Sequence, residues 1–447
     1  VLNDFIHDND RPRSIVVLER YEWGNFYGFL SAIKEDGREI SSLQAGTNDD
    51  DLWQEFQARL ARTLEIHEEI VALEKGEIGS INYEVERVRL AERRLELDNR
   101  ITPEALADLE QRRSELDSVY EELQQDLVAL YTEVNRDTVV FQAAEGQVSE
   151  FEIAEIVRAY RPNELSLFAK LGIYAEKLWE FLSDEPREAN TEGGIYPAIF
   201  GTVMMVLLMS VFVTPFGVVA AVYLREYARQ GLLTQIIRIA VNNLAGVPSI
   251  VYGVFGLGFF IYFVGAEIDQ ALYPEALPAP TFGTPGLLWA SLTLALLTVP
   301  VVIVATEEGL ARIPRSVREG SLALGATKFE TLWRVVLPMA SPAMMTGLIL
   351  AVARAAGEVA PLMLVGVVKL APSLPLDGNY PYLHLDQKFM HLGFHIYDVG
   401  FQSPNVEAAR PLVYATALLL VIVIAMLNLS AVAIRNRLRE RYKALDM

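Results

Sequence analysis

The sequence predicts a protein in two parts, an acidic α+β domain followed by an all-α polytopic membrane domain. Charge is the first observation: residues 1–195 carry 43 acidic and 21 basic side chains, whereas residues 196–447 carry 15 and 17. The second is that every long apolar stretch lies after residue 195. A chain of 447 residues is also too long for one ordinary core. Residues 1–195 and 196–447 are therefore the expected domains.

Short strands are predicted at both ends of the acidic domain. Ser14–Leu18 and Phe26–Ile33 are rich in β-branched and aromatic residues, as are Thr138–Ala143 and Gln147–Ile153. The second pair indicates a hairpin that turns at Glu145–Gly146.

A helical hairpin over about residues 50–135 is predicted between these strand pairs. Thr102 suits an N-cap and Pro103 a first helical turn, so the second helix should begin there. Apolar residues recur at spacings of three and four on both arms, which favours an antiparallel coiled coil: Ile66, Ile70, Leu73, Ile81, Val85 and Val88, then Leu116, Val119, Leu123, Leu127, Leu130 and Val134. The arm is either a docking element for an external partner or a solvated spacer. Its acidity repels anions and argues against a substrate site there.

A further amphipathic helix is expected over Leu165–Leu182, with Trp179 and Phe181 suited to a membrane interface. Glu192–Gly194 then interrupts the chain before the first apolar stretch.

Five stretches approach or exceed the roughly 20 apolar residues that a membrane helix needs. They are Tyr196–Leu224, Leu244–Gly265, Gly286–Thr306, Ser341–Val368 and Pro411–Ile434.

Basic residues concentrate in alternate connections between these stretches. Arg225–Asn243, Glu307–Met339 and Arg435–Met447 are rich in Arg and Lys, whereas Ala266–Pro285 and Lys369–Arg410 hold only three basic residues. The positive-inside rule then predicts a cytoplasmic C-terminus and an extracytoplasmic acidic domain in a multi-pass inner-membrane protein. Because a domain ahead of an inward-running span must itself be exported, an upstream anchor helix and six spans in total are expected.

A polar helix–turn–helix is predicted at Arg318–Pro338, with Gly325 at the turn and Pro338 closing the segment before the next span. Glu319, Gly325, Leu337 and Pro338 stand in the register of the EAA loop of ABC-importer permeases, which this stretch resembles. Gly320, Ser321 and Val335 replace the loop's two alanines and isoleucine. The resemblance implies a type I importer permease fold in which the loop, within residues 307–339, couples to an ATPase subunit.

Three stretches narrow the resemblance to the PstA family of phosphate-importer permeases. They are NLAGVPSIVYGVFGLGFF from Asn243, ATEEGLARIPRSVREGSLALGAT from Ala305 and ARAAGEVAPLML from Ala353. The resemblance implies a PstC-like partner permease, a PstB-like ATPase dimer and an extracytoplasmic phosphate-binding protein. ATP and Mg would be used by the ATPase, with no cofactor in this chain.

Arg354 and Glu358 are charges within the fourth predicted span. At i and i+4 on one helix they share a face and can pair. Intramembrane charges are costly and usually functional, and a guanidinium suits a phosphate oxyanion, so Arg354 is a candidate translocation residue with Glu358 holding it. The alternative is a buried ion pair that fixes helix register.

Several other functions are disfavoured or left open by the sequence. It contains no GxxxxGK[ST] phosphate loop and no cysteine, and no catalytic constellation is visible, so the chain is not expected to be an enzyme. His391 and His395 have metal-ligand spacing without a third ligand and are expected on a short helix at the outer mouth. No nucleic-acid partner is expected. A membrane signalling or scaffold protein with a coiled-coil sensor, or a permease for sulfate or molybdate, remain alternatives.

Overall fold

The computed structural model describes residues 12–44, 46–144, 146–187, 190–403 and 406–443. The chain divides into two units. The first comprises the residues up to 187 together with Glu192–Gly194, and the second comprises Asn190–Thr191 and the chain from Ile195 onward.

The first unit contains an antiparallel sheet of six strands: β1 (Ile15–Arg20), β2 (Phe26–Glu35), β3 (Arg38–Ser42), β4 (Asp137–Ala143), β5 (Val148–Glu152) and β6 (Ile156–Tyr160). The strand order is β5-β4-β2-β1-β6, with β3 paired to β2. The four predicted strands are present, and β4 and β5 form the predicted hairpin. The prediction missed β3, which is polar and mostly exposed, and β6, which follows β5 after a single 3₁₀ turn.

One face of this sheet packs against a helix, α1 (Asp49–Ala72). Leu52, Phe56 and Leu60 lie four residues apart, so they form one stripe along α1. That stripe meets the buried strand residues Val16, Leu18, Leu30, Ile33, Val139 and Phe141. The core therefore combines strand alternation with helical periodicity.

The predicted helical hairpin is present. Its first arm is α1, continued by a π-helical stretch (Leu73–Ile78) and α2 (Gly79–Leu97), and its second arm is α3 (Pro103–Val134). The oxygen Oγ1 of Thr102 accepts a hydrogen bond from the Ala105 N–H at 3.2 Å, which confirms the predicted cap.

The apolar seam predicted along the hairpin is incomplete. Of the predicted seam residues, Ile66, Ile70, Val88, Leu123 and Val134 are buried. Polar contacts also link the arms, including an ion pair between Arg112 and Glu84 and a hydrogen bond from the Tyr131 hydroxyl to Glu74, both at 2.9 Å. A regular coiled coil is therefore not shown; the arms are an antiparallel helix pair with a partly polar interface.

We expect Asp137→Asn to lower the free energy of unfolding of the first unit by about 3 kcal/mol. Its fully buried carboxylate lies 3.0 Å from Arg59, 3.2 Å from Arg62 and 3.1 Å from Arg136. Without that charge, three cations are left close together. Hydrogen exchange of the β4 amides in the full chain would measure the loss. The matched control is Glu150→Gln in the neighbouring strand: its ion pair with Lys34 is exposed, so an effect below about 1 kcal/mol is expected. Equal effects would contradict the assignment.

Among the residues that the structure describes, the second unit contains five helices long and apolar enough to cross a membrane, as predicted. They are span 1 (Tyr196–Tyr227), span 2 (Ser249–Leu272), span 3 (Leu287–Arg312), span 4 (Lys328–Ala356) and span 5 (Ala409–Arg437). Span 3 is the central helix, because 67% of its apolar window is buried against 28% or less in the others. It packs against spans 1 and 4, for example where Gly217 of span 1 lies against Val302.

Several predicted span boundaries are wrong, most notably the start of span 4, which is Lys328 rather than Ser341. Span 2 begins at Ser249 rather than Leu244, because Pro248 disfavours helix at the preceding residue. Span 4 ends at Ala356 rather than Val368, with Gly357 as its C-cap.

The prediction that Pro338 closes the polar hairpin is also wrong. The helix that begins at Lys328 continues through Pro338 to Ala356. A π-helical segment (Leu332–Val336) directly precedes Pro338, and its wider turn accommodates a ring that lacks an N–H and crowds the preceding turn.

Candidate functional site

Arg354 and Glu358 are brought together at the end of span 4. Arg354 lies in the last helical turn, and its Nε is 3.7 Å from Oε1 of Glu358. Glu358 lies beyond the helix end, so the prediction that the two share a face of one helix is wrong. The N–H groups of Gly357 and Glu358 donate to carbonyls three residues back, so a tighter turn at the helix end brings Glu358 to Arg354.

The guanidinium of Arg354 also faces the Ala245 carbonyl, 3.5 Å from both Nη1 and Nη2. Ala245 follows α5 (Leu232–Leu244), where the chain unwinds before span 2 begins at Ser249. The charge pair thus lies where two interrupted helices meet. Non-helical backbone at membrane depth is tolerated where it is buried in protein or lines a cavity, and transporters place such breaks at their binding sites.

Close packing of small residues holds the two interruptions together. A Cβ added at Gly253 would lie 2.7 Å from the Cα of Pro361, and one at Gly256 would lie 2.3 Å from Oγ1 of Thr293. The Tyr252 hydroxyl donates to the Leu244 carbonyl at 2.6 Å, which ties span 2 to the end of α5. Gly253 is therefore required for the approach of the segment after span 4, and Gly256 for the approach of span 3.

The charge pair is only partly enclosed. The side chain of Arg354 is 32% exposed and that of Glu358 is 22% exposed. The three contacts of the guanidinium described above are all at least 3.5 Å long, beyond the range of strong hydrogen bonds. The N–H donors of this guanidinium are therefore weakly bound, and one side of the group is open. They can give up these contacts and bind a planar or tetrahedral oxyanion instead.

The polar hairpin has the predicted helix–turn–helix form. A short helix, α6 (Arg315–Ala323), ends in a turn where Gly325 has φ +90°, and span 4 then begins at Lys328. Thr327 and Glu330 form a reciprocal capping box at that start. The positive φ requires glycine, which accounts for Gly325 at this point of the motif.

The four motif residues do not form one cluster. Glu319 and Gly325 are exposed on the hairpin, whereas Leu337 and Pro338 are half-buried within the helix of span 4. Exposed apolar side chains accompany the first pair: Leu324 is 91% exposed, and Phe329 and Trp333 stack with ring centroids 6.3 Å apart. The hairpin therefore presents a mixed polar and aromatic surface.

Sequence reasoning missed the contacts that hold this hairpin in place. Arg318 donates to the carbonyls of Ile313 at 2.7 Å and Leu310 at 2.8 Å, and it pairs with Glu226 at 2.8 Å. Lys328 donates to the Glu226 carbonyl at 2.6 Å. The hairpin is thus fastened to the end of span 1. Arg318 and Glu226 are 92 residues apart, so no local pattern indicates the pairing.

His391 and His395 lie on a short helix as expected: His391 caps the N-terminus of α7 (Leu392–Phe401) and His395 lies within it. Both are almost fully buried, and burial lowers the pKa of each to about 4. Asp398, paired with Lys369 at 3.3 Å, opposes that shift at His395. No group of three metal-binding side chains occurs among the residues that the structure describes.

The second unit should lose stability as the pH falls from about 6.5 to about 4. In the unfolded chain these histidines bind protons near pH 6.5, whereas in the folded protein they bind them only near pH 4, so acid favours the unfolded state by up to about 3 kcal/mol per ring. Thermal unfolding between pH 7 and pH 4.5 would measure this. His395→Leu should make the decrease smaller, and an unchanged pH dependence in that variant would contradict the assignment.

Five spans, interrupted helices around a charge pair and a polar hairpin between two spans together define a multi-pass membrane permease. Residues 213–443 match the family profile of the binding-protein-dependent transport system inner membrane component. The chain belongs to this family.

The predicted resemblance to the PstA permeases is confirmed by comparison with named proteins. The chain is 36% identical over 247 residues to phosphate transport system permease protein PstA 1 of Mycobacterium tuberculosis (strain CDC 1551 / Oshkosh), covering 54% of this chain and 71% of the relative. It is 33% identical over 276 residues to PstA of Mycobacterium leprae (strain TN), covering 61% and 81%. A chain of the inward-facing MetNI methionine ABC transporter matches with a TM-score of 0.40 at 20% identity, over 54% of this chain and 94% of that one.

Proposed function

We propose that this chain is a permease subunit of an ATP-driven importer of inorganic phosphate. The observation that carries the proposal is the position of Arg354, a partly open guanidinium where the interrupted ends of span 4 and span 2 meet. Two relatives of known name are phosphate permeases, which supports phosphate over another oxyanion. Glu358 and the Ala245 carbonyl hold the guanidinium when no anion is bound, and they recover it after release.

The permease would work with three kinds of partner. A PstC-like permease would supply the other half of the path, a PstB-like ATPase dimer would use ATP and Mg, and an extracytoplasmic binding protein would deliver phosphate. The exposed Glu319, Gly325 and Phe329 on the polar hairpin suit a docking surface for the ATPase. The basic connections favour, by the positive-inside rule, a cytoplasmic hairpin and C-terminus and an extracytoplasmic first unit.

Radiolabelled phosphate uptake tests the proposal. Cells that lack their own phosphate permease would be complemented with the full-length gene and its partner subunits, and sulfate uptake would be measured in parallel. We expect ATP-dependent phosphate uptake without comparable sulfate uptake. Sulfate uptake alone would assign a different oxyanion, and no uptake of either by an assembled complex would favour the signalling or scaffold alternative.

A further inference from the structure

The helix α4 (Leu167–Ser183) presents a large apolar face to the surface. It begins at Ser166, whose Oγ accepts a hydrogen bond from the Ala169 N–H at 3.2 Å. None of its residues is buried, and Phe168 is 83% exposed. The exposed apolar side chains share one face of the helix at spacings of three and four: Leu167, Phe168, Leu171, Tyr174, Leu178 and Trp179.

The opposite face of α4 is polar and is attached to its own unit by ion pairs. Glu176 pairs with Arg158 at 3.0 Å, and Glu180 pairs with the same arginine at 3.3 Å. Lys177 pairs with Glu19 of β1, and Glu180 also pairs with Arg187. An ordinary surface helix turns its apolar face inward, whereas α4 turns it outward. A contiguous apolar patch of this kind marks an interaction site.

The C-terminal end of α4 is close to the start of a membrane span. Gly194 lies against that end: a Cβ added there would be 2.3 Å from the Asp184 carbonyl oxygen and 2.6 Å from that of Glu180. Its N–H donates to the Glu185 carbonyl at 3.0 Å. Span 1 begins only two residues later, at Tyr196. At about 3.6 Å per residue, the chain keeps Gly194, which contacts the end of α4, within roughly 7 Å of that point.

We propose that the apolar face of α4 lies in the lipid interface, on the side of the bilayer where span 1 begins. Tyr174 and Trp179 have the amphipathic rings that favour the headgroup region. Lys170, exposed beside the apolar face, can extend toward lipid phosphates. The surrounding domain is strongly acidic, so burial of apolar side chains rather than attraction to anionic lipid holds the helix there.

Single-cysteine variants test this proposal, because this chain has no cysteine of its own and each variant therefore carries one label. Leu171→Cys and Leu178→Cys lie on the apolar face, and Ala169→Cys is the matched control on the opposite side of the same helix. All three positions are exposed, so substitution does not disturb a core. The full chain would be labelled with a nitroxide in a complex whose partner subunits have had their cysteines replaced, and the complex would be reconstituted in vesicles of phosphatidylethanolamine and phosphatidylglycerol. Collision rates with oxygen, which partitions into lipid, and with an aqueous nickel chelate would then be measured.

We expect the ratio of oxygen to nickel collisions to be at least severalfold higher at positions 171 and 178 than at position 169, and to be unchanged in 1 M salt. A high nickel rate at all three positions would place the face in water and overturn the proposal. Shielding of positions 171 and 178 from both reagents would show that a protein covers the face, which also overturns it. The measurement requires no transport, so it is independent of the phosphate assignment.

Discussion

Replacing Arg354 by glutamine is expected to lower phosphate uptake more than tenfold while the assembled complex persists in the membrane. The substitution removes the charge and the planar fork of donors, and a charge-assisted hydrogen bond contributes about 1.5–3 kcal/mol. Because the side chain is partly exposed and its contacts are long, the loss of helix stability should be small. Uptake of radiolabelled phosphate, normalised to complex abundance, would measure the effect.

Two further variants separate an anion-binding role from a structural ion pair. Arg354→Lys keeps the charge opposite Glu358 but loses the fork, so reduced uptake is expected if the guanidinium contacts phosphate. Glu358→Gln removes the ion pair but leaves the fork intact, so substantial uptake should remain. If Arg354→Lys transports normally while Arg354→Gln and Glu358→Gln fail equally, the pair only fixes the geometry of the span ends.

Replacing Arg318 by glutamine is expected to separate ATP hydrolysis from transport. Arg318 fastens the polar hairpin to Glu226 and to two carbonyls at the end of span 3. Its loss leaves Glu226, whose side chain is only 13% exposed, without that charge partner, at a cost of about 3 kcal/mol. The hairpin would remain helical but lose its fixed position. We expect the reconstituted complex to hydrolyse ATP at more than half the normal rate and to import phosphate at less than a tenth.

The matched control is Arg312→Gln. Arg312 lies six residues earlier, is 78% exposed and contacts Glu308 only at 3.9 Å, so its replacement should leave transport within about twofold of normal. Parallel loss of hydrolysis and transport in the Arg318 variant would instead mean that the hairpin is needed for ATPase binding. Unchanged transport would exclude a coupling role for the anchoring contacts.

Features encoded in local chemistry were predictable from the sequence. The side chains of Thr102 and Pro103 favour a helix start at that point without any distant contact. Gly325 likewise adopts a positive φ that other residues disfavour. The five spans follow from hydrophobic length alone. The hairpin of α1, α2 and α3 follows from apolar spacing, although polar contacts such as that of Arg112 with Glu84 complete its interface.

Features that depend on tertiary contacts were not predictable. The sequence stays hydrophobic past Ala356, but the helix of span 4 ends at that residue. The chain beyond it packs against span 2, where Pro361 contacts Gly253. For the same reason the sequence identified Arg354 and Glu358 but not the backbone carbonyl of Ala245 that completes their surroundings. The ion pairs that turn the apolar face of α4 outward join residues up to 158 positions apart.

Span 4 connects the polar hairpin to the charge pair through a single helix. One helix runs without a break from Lys328, beside the hairpin, to Arg354 at the charge pair. At 1.5 Å per residue these two ends are about 39 Å apart, so one helix joins the hairpin to the charge pair over that distance. The π-helical segment Leu332–Val336 and Pro342 both depart from regular α-helical hydrogen bonding near the hairpin end, so a tilt at the hairpin bends the helix there before it moves the guanidinium.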